Sequence, residues 1–228
     1  LTSLGNLANL YESQGRYDQA ESLSLRALDA RERTLGPDHP DTLVSLGNLA
    51  GLYTGQGRFH EAEPLYIRDL ETSERTLGPD HPDTVISVSN LAQLYQYQER
   101  YDEAEPLNLR ALAAGERTLG PEHPDTLISV NNLAGLYESQ GRWDEAEALY
   151  LRALEVFTRT LGPEHPYTLV SLTNLAGLYE SEGRFEESLE RLQSLLVAEI
   201  DVYGEGHLEL ALTHWKLAEC LRHLERPV

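Results

Sequence analysis

Leu7, Leu49, Leu91, Leu133, Leu175 and Leu217 stand 42 residues apart, with no insertion or deletion anywhere between them. A period of this length held along a chain points to a repeat architecture, in which each unit is one supersecondary element stacked on its neighbours. The unit reads as helix, turn, helix, loop. In residues 43–84 and the residues just before them, a first helix (helix A) is predicted from about Pro40 to Thr54. A turn at Gly55 and Gly57 follows, then helix B from about Phe59 to Thr76, then a loop. Helix A carries Leu43, Leu46, Leu49, Ala50 and Tyr53 at the spacing of one helical face, widened by Leu52. Helix B does the same with Phe59, Ala62, Leu65, Tyr66 and Leu70.

The loop "GPDHPD" stops one helix and starts the next. Gly78 suits a left-handed C-terminal cap, Pro82 and Asp83 suit a first turn, and His81 falls at the N-cap. Small residues mark close approach: Ala8, Ala50, Ala92, Ala134, Ala176 and Ala218 on helix A, and Ala20, Ala62, Ala104 and Ala146 on helix B. Larger side chains there would overpack the junction at about 1–3 kcal/mol each. One helix pair cannot bury both its apolar faces, so the units must stack. The expectation is an all-α, right-handed α-solenoid forming a single domain over residues 1–228. Its repeats fall at about 1–42, 43–84, 85–126, 127–168 and 169–210, with a final helix at roughly 208–224. The absence of methionine, even at position 1, predicts a chain cut from a longer protein.

The pattern Leu49-Ala50, Tyr53, Gly57, Phe59, Ala62, Tyr66 resembles the tetratricopeptide repeat (TPR). The 42-residue period with "EAEPLY", "ERTLGPDHPDT" and "NNLAGLY" is similar to the subfamily of kinesin light chains and their bacterial and fungal relatives. The resemblance covers residues 1–228. It implies a noncatalytic protein-interaction scaffold that holds a partner or cargo peptide on a concave face lined by the A helices. The alternative is a sensor or oligomerisation arm of a larger signalling protein. The coiled-coil heptads by which a light chain joins its heavy chain are absent from this sequence.

Several positions break the pattern. Asp69 takes a usual alanine site, Glu99 replaces a turn glycine, and Pro64 and Pro106 predict that helix B bends or begins late in those repeats. In the fifth repeat Ser188 replaces the alanine, Arg191 replaces a leucine, and "DVYGEGHLELA" replaces the usual loop. That is the wear expected of a terminal unit facing water.

On a helical wheel the core stripe of helix A lies opposite a polar face. Asn6, Asn48, Asn90, Asn132 and Asn174 form a ladder on that face, one rung per repeat, joined by Asn9, Gln93, Tyr97, Asn131 and Glu138. Asparagine is a poorer helix former than alanine by about half a kcal/mol, so five uses call for a return elsewhere. Each amide donates and accepts, which suits a peptide backbone. The competing reading has each asparagine bonded to an adjacent helix or loop. Val44, Ile86, Ile128 and Val170 form a second stripe, expected to pack under the preceding loop rather than to supply pockets for a partner. Tyr97 reads equally as a ligand anchor or as an exposed tyrosine.

The formal charge of −20, from 38 acidic against 18 basic residues, excludes the basic footprint that nucleic acid requires and disfavours acidic membranes. Kinesin light chains are held to read acidic, tryptophan-containing cargo through basic groove residues. Here no helix A carries Lys or Arg on its inner face before Lys216 and Arg222 in the last helix, so a neutral or basic partner segment is expected. The runs "ESQGR", "DEAE" and "ERTLG" read as a solvated outer surface. No run nears a membrane span and no secretory signal opens the chain, so a cytoplasmic protein is expected, monomeric or weakly self-associating. His39, His81, His123, His165 and His207 recur with the loop and read as one structural role repeated. Cys220 takes a leucine site and reads as a small core residue. No metal, cofactor or catalytic constellation is predicted.

Overall fold

The computed structural model describes residues 2–225, with side chains from residue 4 onward. The described residues form eleven helices and no strand. They are α1 Thr2–Ser13, α2 Tyr17–Leu35, α3 Pro40–Gly55, α4 Phe59–Leu77, α5 Pro82–Tyr97, α6 Tyr101–Thr118, α7 Pro124–Ser139, α8 Trp143–Leu161, α9 Pro166–Glu182, α10 Phe185–Tyr203 and α11 Leu210–Leu224. The chain divides into two compact units, residues 1–118 (α1–α6) and 119–228 (α7–α11). Within each unit a helix packs on its neighbour in sequence, the A-then-B pairing expected from the repeat.

The helix ends follow from loop chemistry. Pro40, Pro82, Pro124 and Pro166 each open an A helix, where a missing N–H costs nothing. The histidine before each proline caps the helix: His81 Nδ1 accepts from the Asp83 amide at 3.2 Å, and His39, His123 and His165 repeat the bond at 3.1–3.2 Å. His207 accepts likewise from the Glu209 amide at 3.3 Å, but no proline follows it, and the last helix starts at Leu210 rather than Leu208. At the other end, Gly78 donates its amide to the Glu74 carbonyl with φ +94 and ψ +162. The φ is positive as expected, but the ψ is extended, so the cap uses a region open essentially to glycine alone rather than the left-handed helical well. Pro64 and Pro106 do not delay their helices, since α4 and α6 begin at the same register as α8 and α10. Both prolines are exposed, within the first two turns of their helices.

In the first unit, Leu46, Leu49, Ala50 and Leu52 of α3 meet Ala62, Tyr66 and Leu70 of α4 and Val88, Leu91 and Leu94 of α5, all buried. Each large side chain contributes about 1.5–3 kcal/mol of burial. The alanines stand at the junctions: Ala50, Ala62, Ala92 and Ala104 are 0% exposed, as are Ala134, Ala146 and Ala176 of the second unit. Ala218 is less covered, because no described helix follows α11 to pack against it. Ser188 in the second unit is not wear. It is fully buried, donating to Glu180 Oε1 (3.3 Å) and accepting from the Cys220 thiol (3.5 Å), while Lys216 Nζ reaches Glu180 Oε2 (3.0 Å).

Among the arginines that close the A-to-B turns, Arg16 is exposed as expected, but Arg58, Arg100 and Arg184 are half-buried and engaged across repeats. Arg58 lies over the Tyr53 ring at 4.2 Å and donates to Glu21 of the preceding repeat (2.6 Å) and to Glu61 (2.7 Å), while Tyr53 Oη donates to the same Glu21 (3.0 Å). Arg100 joins Glu63 and Glu103 over Tyr95, and Arg184 joins Glu147 and Glu187 over Tyr179. Hydrogen bonds from the arginines hold Glu21 and Glu147 below the usual carboxylate range. The clamp fixes one repeat on the next.

Candidate functional site

Turning helix A so that its leucines and alanine pack inward leaves its amide face uncovered. Asn6, Asn48 and Asn132 are exposed and Asn90 and Asn174 half-buried, and none makes a side-chain hydrogen bond among the described residues. The reading in which these amides serve to lock neighbouring helices therefore has no bond to rest on.

In the first unit Asn9 of α1, Asn48 of α3 and Asn90 of α5 line one cavity of about 570 Å³. Val44 and Ile86 form its apolar sides, and Tyr66, Asp69 and Ser73 of α4 close its floor. Val44 and Ile86 are 57% and 58% exposed and so do not pack under a loop; in the second unit Val170 is 51% exposed, while Ile128 is half-buried. Glycine helps open the space, for a Cβ at Gly51 would stand 3.6 Å from the Tyr66 hydroxyl. Gln93 and Tyr97 lie on the same helix as Asn90, both exposed, with the Tyr97 ring stacked on Phe59 at 6.5 Å.

In the second unit the expected residues divide. Asn132 is exposed. Asn131 is half-buried, its Nδ2 directed to Ser171 Oγ at 3.5 Å and its Oδ1 buried without a partner. Glu138 is engaged inside the chain, accepting from Tyr150 Oη at 3.1 Å and from the Ser181 side chain of the next repeat, and burial raises its carboxyl pKa.

Asp69 escaped the expected set. Its side chain is 5% exposed on the cavity floor, and burial pushes its carboxyl above the ordinary range. The signal in the sequence was its break with Ala27, Ala111 and Ala153 at the same repeat position. His39, His81, His123 and His165 serve as helix caps and His207 makes the same loop bond without capping a helix, and among the described residues no group of three or more His, Cys, Asp or Glu side chains is placed to hold a metal ion. No described helix is long and apolar enough to cross a membrane.

The family model for the tetratricopeptide repeat matches residues 1–68, 46–114, 86–150 and 126–198. The chain belongs to the tetratricopeptide repeat family. Among solved structures it resembles the nearly identical TPR-like repeats of a Podosopora anserina protein assigned as a kinesin light chain. The identity is 31% over 89% of this chain and 96% of that one, with a TM-score of 0.72. A single-substitution variant of the same repeats gives 30% identity over 89% and 95% of the two chains, with a TM-score of 0.74. BtubC (BKLC) from P. vanneervenii, at 24% identity over 91% of this chain and 84% of that one and a TM-score of 0.76, shares the fold. No protein of curated function matches the chain in sequence. The TPR repeats here are thus of the kinesin light chain-like kind, and TPR proteins typically act as protein–protein interaction scaffolds.

Proposed function

We propose that this TPR chain is a noncatalytic scaffold that grips a peptide segment of a partner on the amide face of its A helices. The observation that carries the reading is the set of asparagines without a side-chain hydrogen bond among the described residues, Asn6, Asn48 and Asn90 in the first unit and Asn132 and Asn174 in the second. A helix position that gives up about half a kcal/mol of propensity and makes no internal bond is free to meet another backbone. Asn9, Gln93 and Tyr97 extend the face in the first unit, and Asn131 and Glu138 border that of the second. The partner segment is neutral or basic, since the cavity lining holds Glu12, Asp69 and Asp83 and no basic residue.

The test is selection of a degenerate twelve-residue display library on the chain, followed by affinity measurement with Asn90→Ala and Asn132→Ala. Weakened binding at an unchanged melting temperature supports the proposal. Unchanged affinity in both variants, or loss of folding, refutes it. Sedimentation addresses the alternative: a monomer is expected, and a tight dimer would favour an oligomerisation arm, for which Leu212 and Trp215, exposed on α11, would serve.

A further inference from the structure

We infer that the cavity of the first unit takes the ammonium or guanidinium of a lysine or arginine side chain from the bound peptide, with Asp69 as its counter-ion. The inference rests on the groove reading above and names the chemistry of one anchor within it.

Repetition supplies the control. Ala27, Ala111, Ala153 and Leu195 hold the position of Asp69 in the four other repeats and are 0–3% exposed, so this site asks for an apolar residue wherever helix B faces its neighbours. Asp69 is buried to nearly the same degree, which strips its carboxylate of water. No compensating charge comes from within. The residues lining the cavity include no lysine, arginine or histidine, and the other charges there, Glu12 and Asp83, are acidic. Asp83 adds to the burial in raising the Asp69 carboxyl, and the Ser87 hydroxyl is the one neighbour that opposes them. Arg31, which precedes Ser73 of the floor by one repeat, is engaged with the Ser45 hydroxyl.

The shape matches a long basic side chain rather than a free ion. Val44, Ile86 and Leu43 offer apolar walls to a methylene stem, the carboxylate waits at the floor for the charged head, and Asn48 and Asn90 stand where the peptide backbone would pass. A space of about 570 Å³ admits such a side chain with its backbone, and falls within the usual range for ligand sites. Three acidic groups and no base also set the sign: an acidic or phosphorylated side chain is repelled.

The experiment uses nonapeptide pools, degenerate except for a central Lys, Arg, Gln, Leu or Glu, titrated by fluorescence polarisation against wild type, Asp69→Ala, Asp69→Asn and Asn90→Ala. Alanine is the residue of three other repeats, so the first variant keeps the fold, and circular dichroism verifies it. In wild type the Lys or Arg pool is expected to bind at least tenfold tighter than the Gln pool. Both Asp69 variants should bring the basic pools to the Gln level and leave the Gln pool unchanged. If the Gln and Leu pools bind and weaken with Asn90→Ala, but no basic preference exists or it survives Asp69→Ala, the anchor is refuted and the groove reading stands. If no pool binds, both are refuted.

Discussion

The Arg184–Glu147 clamp offers a quantitative test of how one repeat is held on the next. Arg184 donates to Glu147 from Nη1 (2.7 Å) and Nη2 (3.3 Å) and to Glu187 from Nε (2.9 Å), and it covers the Tyr179 ring at 4.4 Å. Tyr179 Oη donates to the same Glu147 carboxylate at 2.7 Å, and its pKa is pushed up to about 12 by burial and that bond. The two charged side chains are 31% and 22% exposed, which places the pair between exposed ion pairs, worth about 0–1 kcal/mol, and buried ones. Discounted for solvent screening, a coupling of about 1 kcal/mol is expected. Arg184→Ala also forfeits the stacking and the Glu187 bond, so its own cost should reach about 2 kcal/mol, or a melting shift of about 4–8 °C in a chain of this size. A double-mutant cycle of wild type, Arg184→Ala, Glu147→Gln and the double variant, followed by urea unfolding monitored by far-ultraviolet circular dichroism, measures the coupling. The sign with pH is fixed. Glu147 is depressed, chiefly by the Arg184 hydrogen bond, so its contribution is present above its unfolded value near 4.5 and is lost as pH falls through the folded value. The wild-type advantage over Arg184→Ala must therefore shrink in acid. Additivity within about 0.3 kcal/mol, or an advantage that grows on acidification, would refute the clamp.

Three further substitutions follow from backbone and burial. Gly78→Ala should destabilise by about 1–3 kcal/mol in chemical denaturation, because φ +94 with ψ +162 is strained for any Cβ even though nothing stands within 4 Å of one. Glu99→Gly should stabilise by up to about 1 kcal/mol, read from the same denaturation curves. Its φ of +58 is the positive value of a non-glycine residue among the described residues, at a turn where the other repeats use glycine, and the relief exceeds the added unfolded-state entropy. Asp69→Ala should stabilise the chain at neutral pH by about 1–3 kcal/mol, the desolvation cost removed, and so raise its melting temperature. With its folded pKa raised, Asp69 adds stability below its unfolded value near 3.8 and loses it as pH rises through the folded one. The gap between variant and wild type should thus widen from about pH 4 to about pH 7, and a gap that narrows would count against a buried, unpaired carboxyl.

What could be read from the sequence follows the range of the interaction. The His81 cap and the Pro82 start are set by atoms two or three residues apart, so "GPDHPD" was enough to place helix ends within one or two residues. The core stripe of α3 was legible for the same reason, since Leu46, Leu49 and Ala50 declare a face by spacing alone. The clamp was not, because Arg58 and Glu21 are separated by 37 residues and meet only after the repeats stack. A trace of it lay in the constant offset shared with Arg100–Glu63 and Arg184–Glu147. Ser188 misled for a similar reason: a serine at an alanine site looks like a surface concession until Glu180 and Cys220 close around it. Val44 and Ile86 misled in the opposite direction, their apolarity suggesting cover that the loops do not provide.

Repetition also makes the exceptions informative. Each position in a 42-residue repeat meets nearly the same kind of neighbour in every unit, so a residue that departs from its equivalents carries a cost the others avoid. At Glu99 the cost is a backbone strain for which nothing in the structure accounts. Ser188 departs too, but it finds partners inside the chain in Glu180 and Cys220. Asp69 finds only a hydroxyl, beside two other acids and a cavity open to a visitor. The asparagines share that condition in milder form, a small helix penalty with no internal bond to offset it. For Asp69 and the asparagines, the proposed groove draws the offsetting interaction from outside the chain. Amides ask for a peptide backbone and a buried carboxylate asks for a cation, and a segment carrying lysine or arginine brings both.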